Sequence, residues 1–232
     1  MIAVLFADPG GVYGRLDLAL PLGELAPLGE TLDVWAPPRD ARDYADEHPV
    51  VAHPPCAAWC RLAGLREAVH GLRRGQDGGC FEAALAAVRR CGGVLEHPAY
   101  SGAWKHFGLP RPDRAGGWSD PDEHRGRSCH VEQGLYGFPT PKPTWLYAVA
   151  GELPELRWGR SGPASARWDT PQMIGGLYGQ RPRKGVAVDS RPRIRGRAAS
   201  ATPPAFAREL LRIAYAAGGS PSGSGASSSG TS

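Results

Sequence analysis

The chain has 232 residues, 41% of them hydrophobic and 22% charged, with a formal net charge of +4, which is long enough for one domain with a sizeable core and a small appendage. It contains no run of about twenty apolar residues, and Met1-Ile2-Ala3-Val4-Leu5-Phe6 has neither a basic n-region nor a cleavage site, so no membrane association is expected and the chain reads as cytoplasmic. Five cysteines, an odd number, point to free thiols in a reducing compartment rather than to a disulfide framework.

Ile2 to Phe6 is a continuous apolar run that leads into Asp8-Pro9-Gly10-Gly11, the pattern of a buried parallel strand entering a glycine turn able to cradle a ligand. Thr31 to Trp35 reads as a second strand and Pro49 to Ala52 as a third. The third must stop at Pro54-Pro55, which donate no ladder hydrogen bonds and fix φ, so Cys56 is delivered at the carboxyl end of a strand, just before a possible helix start. Open α/β sheets bind ligands at that edge, and helical amides favour a thiolate there. The alternative is a buried structural thiol beside a turn.

Gly78 to Arg90 places Phe81, Leu85 and Val88 at helical spacing and stops at Gly92-Gly93, after which Gly93 to Pro98 reads as a short strand containing Glu96-His97-Pro98. Strand, helix, strand at this spacing predicts a parallel sheet. Tyr100 to Arg127, rich in Gly, Pro, Asp and Trp, reads as loop with one helical turn around Trp104, and Trp104 and Trp118 could stack on a base or cover the core. Tyr136-Gly137-Phe138-Pro139 precedes a strand from Thr144 to Val149. Between Arg157 and Arg197, ten Lys or Arg stand against Asp169 and Asp189 alone, a balance that permits nucleic-acid binding. Thr202-Pro203-Pro204 opens a helix with Phe206, Leu210 and Ile213 on its apolar face, and Gly218 to Ser232 is a Gly/Ser stretch expected to be disordered. Cys80 and Cys91 read as core thiols. Cys56-x-x-x-Cys60 with Cys129-His130 matches structural zinc spacing poorly, so no metal is expected.

The order of a glycine turn, Pro55-Cys56, Glu96 near a strand end, Tyr136-Gly137-Phe138-Pro139 before a strand, and Pro203-Pro204 opening a last helix resembles the cytosine-5 DNA methyltransferases over almost the whole chain before Gly218. That resemblance implies an α/β, Rossmann-like methyltransferase fold, a mostly parallel sheet flanked by helices with a small basic, loop-rich recognition region. The catalytic core would cover 1–150, the recognition region 151–200, a helix returning to the core 201–217, and the tail 218–232. It also implies a chemistry. The Cys56 thiolate adds to carbon 6 of a flipped cytosine, carbon 5 becomes carbanion-like, and Glu96, a carboxyl of raised pKa, protonates N3. Taken alone, Glu96 reads equally well as a strand-end carboxylate paired with an arginine. Pro55 accompanies the nucleophile, and His97 stands where the family often has asparagine and would position the loop. Lys142 and Thr144 stand where the family has arginines, with the bidentate reach of arginine lost, and Arg181, Arg183 and Lys184 fall in the recognition region.

On the donor side Phe6, Asp8, Gly10 and Gly11 align with the family's glycine turn, Asp8 replacing its first glycine. A carboxylate there would repel the carboxylate of S-adenosylmethionine, Pro9 removes an amide, and the second strand does not end in an acid for the ribose. The chain resembles a shortened, phage-type branch of the family that is thought to take its carbon from methylenetetrahydrofolate, with a reduced flavin supplying hydride. The expectation is therefore folate and FAD rather than S-adenosylmethionine, double-stranded DNA as partner, a monomer, and the cytoplasm of a bacterial host. Three alternatives stay open: an S-adenosylmethionine-dependent enzyme of the same family, an enzyme acting on a free pyrimidine nucleotide, and a non-catalytic DNA-binding protein on the same scaffold.

Overall fold

A computed structural model describes residues 1–8, 10–15, 32–60, 63, 67, 71, 73–168 and 191–218. Among them β1 (Ile2–Leu5), β2 (Leu32–Trp35), β3 (Val50–Ala52), β4 (Gly93–Pro98), β5 (Arg127–Glu132) and β6 (Pro143–Val149) form one sheet in the order β2-β1-β3-β4-β6-β5. The pairings among β1, β2, β3 and β4 are parallel, while β6 is antiparallel to both β4 and β5. The expected mostly parallel sheet is thus corrected to a mixed one in which β6 alone runs against the other five. Segment 133–142 is too short for a parallel crossover, which takes about a dozen residues or more, so β5 and β6 close as an antiparallel pair. The reversal matters for function, because it brings the start of β6, with Lys142 just before it, to the edge where β1, β3 and β4 end.

Helix α1 (Cys80–Cys91) covers one face of the sheet and the C-terminal α4 (Pro204–Gly218) the other, with the short helices α2 (Gly102–His106) and α3 (Gly196–Ser200) between them in the chain. Side chains alternate along each strand. Ala3, Leu5, Val50, Ala52, Leu95 and Tyr147 pack with Phe81, Leu85 and Val88 of α1, whereas Ile2, Val4, Val51, Val94 and Leu146 pack with Phe206, Leu210 and Ile213 of α4. A sheet buried on both faces explains why its central strands read as unbroken apolar runs. A two-stranded parallel pair, β7 (Arg167–Trp168) with β8 (Arg193–Ile194), lies in the basic segment. No helix among the described residues is long and apolar enough to cross a membrane.

β5 occupies a stretch that the sequence left without a strand, because Arg-Ser-Cys-His-Val-Glu has no strand-like pattern. Its polar side chains are buried with partners: Ser128 Oγ accepts from Trp104 Nε1 at 3.0 Å, His130 Nδ1 from Trp145 Nε1 at 3.2 Å, and Glu132 from the Ser161 amide at 2.7 Å. Trp104 accordingly belongs to the core. Half-buried Trp118 donates to the Pro154 carbonyl.

Gly93 opens β4 at φ +119°, and a Cβ there would stand 2.0 Å from the Val50 carbonyl oxygen of β3. Neither the backbone conformation nor the space admits a side chain. Gly93→Ala is expected to cost roughly 3–5 kcal/mol, read as a lowered denaturant midpoint; a loss below about 1 kcal/mol, the ordinary scale of a point mutation, would show that the β3–β4 spacing is looser.

Candidate active site

The carboxyl edge of the sheet opens onto a cavity of about 1170 Å³ whose lining includes Phe6, Asp8, Gly10, Gly11, Pro55, Cys56, Glu96, Lys142 and Thr144. Nine positions scattered over the sequence therefore face one space. Each arrives by a strand end: Phe6 follows β1, His53-Pro54-Pro55-Cys56 follow β3, Glu96 sits near the end of β4, and Lys142 precedes the reversed β6. Phe6 and Lys142 hold left-handed backbones, φ +56° and +43°, uncommon for residues with side chains and concentrated at functional sites.

Cys56 is a half-buried thiol outside any disulfide. Its carbonyl accepts from the amides of Trp59 at 3.0 Å and Cys60 at 2.8 Å, so the chain coils into a turn immediately after it. Asp77 ties this loop to α1, accepting from Trp59 Nε1 and from the Phe81 amide, both at 2.8 Å.

Glu96 lies among partners that the sequence did not disclose. His53 Nδ1 is 3.0 Å from Oε2, Gln133 Nε2 donates to Oε1 at 3.1 Å, and the Tyr13 hydroxyl is 2.8 Å from His53 Nε2. The expected raised pKa is corrected: although burial raises it, the His53 hydrogen bond and the positive charge of His53 and Lys142 prevail and hold the carboxyl below its ordinary range. Tyr13 is pushed well above its ordinary value by burial and by the Glu96 charge, and remains a phenol. His53 had a signal in the sequence, since it immediately precedes Pro54-Pro55-Cys56, but nothing local pointed to Tyr13 or Gln133.

Three expected roles change. His97 is not in the cavity; it is fully buried, edge-on to Phe81 and beside Trp104, because alternation along β4 sends it to the face opposite Glu96. Burial pushes its imidazole down to about 4, against the opposing pull of Glu96 and the Pro55 carbonyl. Thr144 reaches the cavity wall, but its hydroxyl donates to the Lys142 carbonyl at 3.1 Å and accepts from Gln133 at 3.0 Å, so it braces Gln133. Lys142 Nζ donates to the carbonyls of Ser200 at 3.1 Å and Ala201 at 2.6 Å, tying the link between α3 and α4 over the cavity. Burial lowers its pKa while the charges of Glu96 and Cys56 act in the other direction, so it is the cation that faces both.

A neutral buried His97 has a consequence for stability. Its folded pKa is depressed, so its contribution is full above the unfolded value near 6.5 and is lost as pH falls toward about 4. Between about pH 7 and pH 4 the wild type should lose about 3 kcal/mol more than His97→Phe. Equal pH slopes of unfolding free energy would show that His97 is not held neutral.

The glycine turn is occupied by its own aspartate. Asp8 Oδ1 accepts from the Gly10 amide at 3.1 Å and the Asp8 carbonyl from the Gly11 amide at 2.8 Å. Arg197 of α3 pairs with both Asp8 carboxylate oxygens, and its guanidinium would lie 2.9 Å from a Cβ at Gly10. The expected repulsion by Asp8 is therefore offset by a cation, and the obstacle to a carboxylate ligand becomes a shortage of unoccupied amides. Asp33, the nearest acid in β2, is likewise engaged by Arg39 and Trp35, which hold it below the usual carboxylate range.

Arg181, Arg183 and Lys184 lie outside the described residues, as do 219–232 of the expected tail. Of the described basic side chains, Arg157 donates to the Leu135 carbonyl and covers the Tyr136 ring, and Arg191 donates to the Ala164 carbonyl at 3.2 Å. Comparison with protein-family models and with curated proteins found no match to this chain.

Proposed function

We propose that the protein is a DNA cytosine C5 methyltransferase of the shortened, folate-using type. The observation that carries this reading is a cavity at the carboxyl edge of the sheet, where a half-buried thiol, a carboxylate and an ammonium, each on a different element, face the same space. A thiol and a carboxyl are the pair that activation of a pyrimidine carbon requires: sulfur bonds to carbon 6 while N3 takes a proton, and carbon 5 becomes the nucleophile. Cys56 is assigned the addition and Glu96 the contact with N3. Lys142 supplies positive charge toward both and holds the cavity rim. The basic segment supplies phosphate-binding charge, which distinguishes this reading from an enzyme on free nucleotides.

The donor groups were weighed against the same residues. The polar handles that would take S-adenosylmethionine, the turn amides and Asp33, are occupied by the protein's own groups, so the residues do not fit it. A cavity of about 1170 Å³ has room for a base and a larger cofactor together. Methylenetetrahydrofolate would supply the one-carbon unit and a reduced flavin the hydride. The residues of this chain orient the base, exclude water and move protons.

The direct test is a nucleoside digest, with mass spectrometry, of DNA from cells expressing the chain. Methylated cytosine is the expected product. Unmodified DNA with intact binding would favour the non-catalytic reading, and a changed soluble pyrimidine pool the nucleotide enzyme.

A further inference from the structure

We propose that Tyr13 and His53 form a proton relay behind Glu96, in which His53 charges the carboxyl with the proton that it delivers to the base. The inference rests on the reading of Glu96 as the N3 acid. It answers a difficulty that the structure creates: the carboxyl that must donate is held as a carboxylate in the free protein, and therefore needs a proton source that stays out of water.

The geometry meets that need. The three groups form a continuous chain, Tyr13 hydroxyl to His53 Nε2 at 2.8 Å and His53 Nδ1 to Glu96 Oε2 at 3.0 Å. Tyr13 is buried, and the His53 and Glu96 side chains are 14% and 12% exposed. A static brace for a carboxylate needs only a fixed donor. Here, by contrast, every group behind the carboxyl can serve two protonation states. A hydroxyl both donates and accepts, so Tyr13 donates to Nε2 of the neutral ring that carries its proton on Nδ1, and accepts from Nε2–H of an imidazolium or of the other neutral tautomer. Gln133 donates to the carboxylate now, and its Oε1, buried and without a partner, becomes an acceptor for the protonated acid once the amide rotates.

The step balances without an external reagent. With His53 doubly protonated, the Nδ1–H bond breaks as an O–H bond forms on Glu96, leaving a neutral imidazole whose remaining proton, on Nε2, is donated to the Tyr13 oxygen. The Glu96 O–H bond then breaks as N3–H forms: the Cys56 thiolate adds to carbon 6, the C5=C6 π bond opens to C4=C5, and the C4=N3 π pair takes the proton at N3. On product release the N3 proton retraces the path. The other titratable groups near the pair are Lys142 and Cys56 across the cavity and the neutral His97 on the far side of β4, with the Asp8–Arg197 pair at the rim. The titratable group in hydrogen-bond contact with the carboxyl is His53.

The test uses the full chain and two readouts. The first is the titration of the His53 ring nitrogens by NMR in wild type, Glu96→Gln and Tyr13→Phe, which needs no activity. Glu96→Gln and Tyr13→Phe should each alter the signals of the two ring nitrogens, because each removes one of the two groups that fix the tautomer of the ring. An unchanged titration in both variants overturns the relay. The second is the pH profile of cytosine modification in His53→Asn, whose amide can still donate to Glu96 but carries no transferable proton. A relay predicts a loss of roughly a hundredfold, the lower end of general-acid effects, with a displaced acidic limb, whereas wild-type rate and profile in His53→Asn would reduce His53 to a brace. If neither wild type nor variants modify cytosine while the three groups respond together by NMR, the methyltransferase reading fails and only the coupling of Tyr13, His53 and Glu96 stands, without delivery of a proton to a base.

Discussion

Cys56→Ser is expected to abolish cytosine modification while the fold and DNA binding persist. The substitution is nearly isosteric, and the turn around it is held by main-chain bonds from Trp59 and Cys60 to the Cys56 carbonyl, which serine retains. What disappears is the accessible anion. A thiol with an ordinary pKa near 8.5 reaches the thiolate at neutral pH in the company of a cation, whereas a hydroxyl does not. With Lys142 as the ammonium facing position 56, the electrostatic setting remains intact in the variant and only the nucleophile is missing. Product below detection in the digest, with unchanged thermal unfolding and unchanged retention on duplex DNA, is the expected combination. Full activity would overturn the assignment of Cys56 and make Cys60, one turn further on, the next thiol to test.

The parts of this site that could be read from the sequence are those fixed by local chemistry. Two consecutive prolines must end β3, so Cys56 had to lie at a strand end; both Glu96 and His97 read as site residues, whereas alternation along β4 admits only one of them to the cavity, the carboxylate. The parts that could not be read depend on pairing at long range. Tyr13, His53, Glu96 and Gln133 meet because β1, β3, β4 and the turn after β5 share one edge, and no spacing in the chain encodes that meeting. β5 was missed for a related reason: its buried polar residues are tolerated only because Trp104, Trp145 and Ser161 arrive from elsewhere to bond them. Asp8 shows the same effect on electrostatics. Read locally it is a repulsive charge in a ligand turn; in the fold it is one half of an ion pair with Arg197, from the far end of the chain.

S-adenosylmethionine is expected to bind poorly and to donate nothing, and this second large effect follows from where the turn's hydrogen bonds go. The amides of Gly10 and Gly11, which would receive the donor's carboxylate, are both satisfied by Asp8, and opening them would break the Asp8–Arg197 pair as well. A ligand present at a hundred times its dissociation constant adds about 2.7 kcal/mol of stability by mass action, or several degrees in unfolding midpoint for a chain of this size. S-adenosylmethionine at millimolar concentration should fall well short of that shift. Methylation of DNA should instead require methylenetetrahydrofolate together with a reducible flavin, and deuterium carried by the reductant should appear in the new methyl group, because a methylene carbon must gain a hydride whereas a transferred methyl does not. A labelled methyl group passing intact from S-adenosylmethionine to cytosine, with no folate present, would mean that Asp8 and Arg197 part readily to free the turn, and would return the protein to the ordinary mechanism of the family it resembles.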